Sequence, residues 1–76
     1  MADPVLEIDA RGHRCPTPTL KLQTALRTLP SGAEVRLLAD DPMARIDVPH
    51  FAGQNGHVVV SVEAQGGLLT FLVRKG

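Results

Sequence analysis

Apolar residues recur along this chain with two different periods, and the switches between the periods mark six elements. Leu6 and Ile8 alternate with Glu7 in Val5-Leu6-Glu7-Ile8-Asp9, the period of a half-buried strand. From Pro16 to Leu29 the spacing lengthens, and Leu22, Ala25, Leu26 and Leu29 share one helical face. Pro30-Ser31-Gly32 predicts the end of that helix. Alternation returns over residues 34–39, where Val35, Leu37 and Ala39 face one way. Asp40-Asp41-Pro42 predicts the opening of a second helix, with Asp41 as N-cap and Pro42 at the first helical position. Met43, Ile46 and Phe51 are its expected buried residues, with Val48 a weaker candidate. Pro49 predicts a kink or a break, because an internal proline removes one hydrogen bond and crowds the preceding turn. Asn55-Gly56 then closes the segment. The chain finishes in a hairpin: Val58, Val60 and Val62 alternate on one strand, Leu69, Phe71 and Val73 on the next, with Gln65-Gly66-Gly67 as the turn.

The order is βαβαββ. It predicts an α+β fold, a two-layer α/β sandwich with two helices on one face of a mixed four-stranded sheet. Strand, helix, strand is a crossover unit, so the first two strands are expected to run parallel. The expected inner face is Leu6, Ile8, Val35, Leu37, Val58, Val60, Val62, Leu69, Phe71 and Val73, with Leu38, Val59, Leu68 and Leu72 on the other. Parallel strands start both helices at one edge of the sheet. The segment after the first strand and the pair Asp40/Asp41 then meet where open sheets gather ligands and chemistry.

Composition narrows the possible functions. Seventy-six residues, 1–76, make one domain. A chain this short buries only about 60–65% of its unfolded surface. One cysteine forbids an internal disulfide, which fits a reducing cytosol. Met1-Ala2-Asp3-Pro4 has neither the basic nor the apolar region of a secretory signal, and apolar runs are too short to span a bilayer. The expected setting is cytoplasmic, with no membrane association. Eight basic and eight acidic residues cancel, and Phe51 and Phe71 are the only aromatics. Neither the basic excess nor the stacking platform of a nucleic-acid binder is present, so no direct stable nucleic-acid binding is expected.

The chemistry concentrates in Arg11-Gly12-His13-Arg14-Cys15-Pro16-Thr17-Pro18, which holds the single cysteine where the first strand gives way to the first helix. Pro16 and Pro18 suit a helix start, where a missing N–H has no intrahelical partner to lose. Free N–H groups of a first turn favour an anion such as a thiolate, and Arg11 and Arg14 add positive charge nearby in sequence. A thiol so placed is expected to have a lowered pKa and raised nucleophilicity. Gly12 supplies the backbone freedom for a tight turn ahead of it. A buried structural cysteine is the plainer alternative, but it would sit on the apolar stripe and need no flanking Pro, Arg and Gly.

Several uses of one nucleophilic thiol fit poorly. A hydrolase needs a positioned base and an oxyanion hole, and His13 two residues away does not by itself supply them. A dithiol oxidoreductase needs a second cysteine. Cys15 with His13, His50 and His57 has no recognised metal spacing, and Cys15-Pro16 alone is a weak signal for haem, so no metal and no cofactor are expected. What remains is a cysteine that takes up a group covalently and passes it on.

At this point the residues resemble a family. Asp9-Ala10-Arg11-Gly12, Arg14-Cys15-Pro16-Thr17-Pro18 and Leu20-Lys21 resemble the opening of the TusA-like (SirA/YedF) sulfur carriers, whose hallmark is Cys-Pro-x-Pro. The resemblance continues through Ala39-Asp40-Asp41-Pro42, Asp47-Val48-Pro49-x-Phe51, Gly56-His57 and Phe71-x-Val73-Arg74-Lys75. It implies a fold similar to the C-terminal domain of translation initiation factor three. It also implies a persulfide on Cys15, loaded by a cysteine desulfurase or rhodanese and passed to an acceptor sulfurtransferase. The family serves tRNA 2-thiolation, molybdenum cofactor assembly and sulfur oxidation. Such a protein counts as an enzyme only in the sulfurtransferase sense, and a monomer is expected. Arg11, Gly12, Arg14, Pro16 and Pro18 would support the thiolate, with His13, Asp40 and Asp41 as modulators, although capping is the plainer role for the two aspartates. His13 stands where the family usually has an apolar residue. His57 is expected to make a structural hydrogen bond. Lys21, Arg27, Arg36 and Arg45 are expected to contribute to a basic docking surface. The competing reading is a small interaction or regulatory module in which Cys15 is not chemically used.

Overall fold

The computed structural model describes residues 5–13 and 17–76. Six elements follow in the expected order: β1 (Leu6–Asp9), α1 (Thr17–Arg27), β2 (Glu34–Ala39), α2 (Ala44–Gln54), β3 (Val58–Gln65) and β4 (Leu68–Arg74). The strands form one sheet in the order β1-β2-β4-β3. β1 and β2 run parallel, with Ile8 opposite Leu37, and β4 is antiparallel to both β2 and β3. The fold is the mixed-sheet α+β architecture that the pattern of apolar residues predicts.

The core lies between the sheet and the helices. Val35, Leu37 and Ala39 of β2 and Leu69, Phe71 and Val73 of β4 meet Leu22 and Leu26 of α1 and Ala44 and Val48 of α2. Among the described residues, Phe71 is the largest fully buried side chain. Regular α1 stops two residues before the predicted Leu29. There the Thr28 and Leu29 amides reach back three residues, to Ala25 and Leu26, and the last turn tightens before Pro30.

α2 departs from the expectation in two ways. It starts at Ala44 rather than Pro42. Residues 41–46 first form a tighter turn, in which the Ala44, Arg45 and Ile46 amides donate to the Asp41, Pro42 and Met43 carbonyls. Asp41 caps that turn, its Oδ1 accepting the Met43 N–H at 3.0 Å. The buried stripe is consequently Ala44, Val48 and Ala52, while Met43 and Ile46 are exposed at 51% and 63% and Phe51 is half-buried. Small residues at a spacing of four face the sheet. The expectation of Met43 and Ile46 in the core favoured size over that spacing. The helix also runs unbroken through Pro49. The proline only deprives the Arg45 carbonyl of the amide four residues on.

β3 supplies the other correction. Val59 pairs with Val73 and Ser61 with Leu72, so Val60 is an extra residue between two paired ones, a β-bulge. One extra residue reverses the alternation. Val62, opposite Phe71, faces inward, as does Val59, opposite Val73, while Val58 pairs with Arg74 on the outer face. Three alternating valines therefore do not line the core: Val58, Val60 and Val62 are all exposed, and only Val59 packs against it. Gly66 and Gly67 both have positive φ, 58° and 85°, as the two-residue turn requires.

The end of the chain is tied down. The Lys75 amide donates to the Ala33 carbonyl and the Gly32 amide to the Lys75 carbonyl, both at 2.8 Å, and Lys75 Nζ donates to the Leu29 carbonyl. His57 makes the structural hydrogen bond expected of it: its Nδ1 accepts the Gly76 N–H at 3.1 Å, with its ring against Phe51.

Candidate functional site

The C-terminal ends of the parallel strands β1 and β2 share one edge of the sheet. Two loops leave from there, residues 10–13 after β1 and residues 40–43 after β2. β4 begins at the same edge, since Leu69 pairs with Ala39, so the hairpin turn at Gly66-Gly67 reaches it as well. These three connections enclose a cleft of about 500 Å³ lined by Arg11, Gly12, Asp40, Gly66, Gly67 and Leu68.

The loop after β1 is held at four consecutive amides. Ala10 N donates to the Leu38 carbonyl at 2.8 Å, and Ala10 itself is fully buried. Arg11 N donates to Asp9 Oδ1 at 3.1 Å. Gly12 N lies 3.0 Å from both carboxylate oxygens of Asp40. His13 N donates to the Ala10 carbonyl at 3.2 Å. Gly12 has φ +83°, a left-handed backbone that side-chain-bearing residues rarely adopt, which accounts for a glycine in this turn.

Among the described residues, Arg11 and Asp9 form an ion pair at this edge. The Arg11 guanidinium grips Asp9 in bidentate fashion, Nε to Oδ1 at 2.9 Å and Nη2 to Oδ2 at 2.7 Å. Those side-chain bonds, with the backbone bond from Arg11, hold the Asp9 carboxyl well below the usual carboxylate range. The same contact raises the pKa of Arg11 above its ordinary value. The positive charge of Arg11 therefore has a close carboxylate partner of its own.

The structure separates the roles of the two aspartates. Asp41 is buried and caps the turn into α2, as the sequence suggests, whereas Asp40 is exposed and reaches across to Gly12, 28 residues away. Of the other sequence-predicted site residues, Pro18 is buried in the first turn of α1, and His13 is exposed with its amide in the loop turn. Arg14, Cys15 and Pro16 lie outside the described residues. The four basic residues do not gather into one surface. Arg36 pairs with Glu7 at 3.4 Å on the sheet face away from the helices, and Arg27 sits in the last turn of α1. Lys21 and Arg45 remain nearer the edge, in the first halves of α1 and α2. Sequence reasoning missed the hairpin turn as a wall of the cleft. The missing signal was strand order: only once β4 is placed beside β2 does the β3–β4 turn arrive at this edge.

The chain has relatives over nearly its full length. Residues 6–75 match the family model described as Sulfurtransferase TusA. The chain belongs to the TusA family. Among TusA proteins, the sulfur carrier protein TusA of Pseudomonas syringae pv. syringae is 38% identical over 69 residues, covering 91% of this chain and 82% of that one. The sulfur carrier protein TusA of Allochromatium vinosum is 36% identical over 75 residues, covering 99% of each. The crystal structure of a SirA-like protein from Desulfitobacterium hafniense superposes with a TM-score of 0.84 at 27% identity, covering 95% of this chain and 99% of that one. The TusA match includes every residue named above for the edge, and the segment that contains Cys15.

Proposed function

We propose that this protein is a sulfur carrier that holds sulfane sulfur on Cys15 as a persulfide and relays it between proteins. The observation that carries the reading is the match, along almost the whole chain, to proteins named sulfur carrier protein TusA. The chain's single cysteine lies inside the matched region, two residues before the first residue of α1.

The chemistry needs little machinery. The Cys15 thiolate attacks the outer sulfur of a donor persulfide. A new S–S bond forms on Cys15, the donor's S–S bond breaks, and the donor leaves as its thiolate. A thiolate on the acceptor then attacks the outer sulfur on Cys15 in the same way, and Cys15 leaves as a thiolate. Neither step requires an external oxidant or reductant. The donor is a cysteine desulfurase or a rhodanese and the acceptor a sulfurtransferase. The residues proposed to support the thiolate are Gly12 and Arg14 before it in sequence and Pro16 and Pro18 after it, while Arg11 acts through its hold on Asp9 rather than as a free charge.

The test is intact-mass spectrometry of the reduced protein after incubation with a cysteine desulfurase plus cysteine, and separately with a rhodanese plus thiosulfate. The expected result is a gain of one sulfur atom that dithiothreitol removes and that is absent from Cys15→Ser. Loading of Cys15→Ser would overturn the assignment.

A further inference from the structure

We infer that Asp40 is a positioning residue for sulfur transfer: its carboxylate, by accepting the Gly12 N–H, holds the loop that leads into Cys15. The inference rests on the carrier reading and adds a residue to it. Asp40 stands just past the end of β2 and has no part in capping α2, since Asp41 takes the Met43 amide. Its two oxygens instead lie at 3.0 Å from one amide in the other loop. Of the four bonded amides in residues 10–13, Arg11 bonds the Asp9 side chain at the end of β1, His13 bonds the Ala10 carbonyl within the loop, and Ala10 bonds the β2 main chain at Leu38. Gly12 is the one bonded to a side chain of the second loop, and hence the one whose tie between the two loops a substitution can remove.

The geometry gives this bond leverage. Gly12 is in the left-handed region, and an unheld glycine has more backbone conformations open to it than any other residue. The remaining chain to Cys15 is three residues, a reach of at most about 11 Å. Cys15 follows Gly12 by three residues and precedes Thr17, the first residue of α1, by two, so a held Gly12 anchors the chain on the side of Cys15 away from α1. Attack on a persulfide presented by another protein demands a set approach direction, and small misplacements of reacting groups are costly there. A small diffusible reagent can meet the thiol from any open direction. Loosening the loop therefore acts selectively on protein-to-protein transfer.

The test compares wild type, Asp40→Ala and Asp40→Asn in two rates: sulfur loading from a persulfidated donor protein, and alkylation of Cys15 by iodoacetamide. Asparagine keeps a side-chain oxygen able to accept the Gly12 N–H but removes the charge. Asp40→Ala is expected to lower the loading rate about tenfold and to leave alkylation within a factor of about two of wild type. Asp40→Asn is expected to load close to the wild-type rate. In amide exchange followed by NMR, Gly12 is expected to lose protection in Asp40→Ala and keep it in Asp40→Asn. A general loss of stability would lower loading and perturb alkylation together, so the ratio of the two rates separates positioning from scaffolding. Loading by Asp40→Ala at the wild-type rate overturns the inference and leaves the carrier reading standing. So does an equal loss in Asp40→Asn and Asp40→Ala, which would assign the effect to charge. Failure of wild type to load from either donor class overturns both.

Discussion

Asp9 shows how much one side chain does at this edge. Its Oδ1 accepts the Arg11 amide and the Arg11 Nε, and its Oδ2 accepts Nη2, so a single carboxylate fixes both the backbone and the side chain of Arg11. This has a consequence for pH. The folded-state pKa of Asp9 lies below the ordinary value of 3.8, and a depressed carboxylate pKa means the unfolded chain binds the proton more readily. The contribution of Asp9 to stability is therefore complete above 3.8 and is lost as pH falls below it toward the folded-state pKa. Asp9→Asn is expected to flatten the acid limb of the stability curve and to leave its slope above about pH 5 unchanged. Urea midpoints measured between about pH 6 and about pH 2 check this.

At the scale of elements, the two faces of α2 respond differently to the same kind of substitution. Val48 is fully buried on the sheet-facing stripe of α2, whereas Ile46, a larger side chain two residues earlier, is 63% exposed. Val48→Ala removes buried methyl groups and leaves a small cavity, at an expected cost of about 2 kcal/mol. Ile46→Ala is expected to stay within about 0.5 kcal/mol of wild type. Paired chemical-denaturation curves distinguish the two, and the size of the side chains alone would predict the reverse order. α2 also marks where reading the sequence failed. β1, α1, β2 and β4 were readable because their large apolar residues fall at one clean period. In α2 the packed positions are Ala44, Val48 and Ala52, small residues that carry little hydropathic signal, and a tighter turn ahead of the helix shifts the phase. In β3 the run Val58-Val59-Val60 fits either phase, and the bulge selects one by a geometry that leaves no mark in composition. At the site, Gly12 was readable from its residue type. The Asp40–Gly12 bond was not, because it depends on two loops meeting across 28 residues.

For the whole molecule, the outer strands are where the sheet offers unpaired backbone to a second copy. Among the described residues the sheet ends in β1 on one side and β3 on the other, and an outer strand offers unpaired amides and carbonyls to any extended chain. β1 is only four residues long. β3 is eight residues long, with exposed Val58, Val60 and Val62. Strand length and β-branched side chains make β3 a template for stacking one molecule on the next, and Val60 is what spoils it. An extra residue at that point breaks the even spacing of backbone groups and bends the strand, so a straight neighbour cannot lie along its full length. Because Val59 and Ser61 are already in step with Val73 and Leu72, deleting Val60 would remove the interruption without displacing the rest of the ladder. The shortened protein is expected to fold, and then to build β-rich aggregates, seen by light scattering and thioflavin fluorescence, at concentrations where the parent stays clear. A domain with formal net charge +0 has little electrostatic repulsion to keep its copies apart. For such a domain, that expectation makes one surplus valine a guard against stacking.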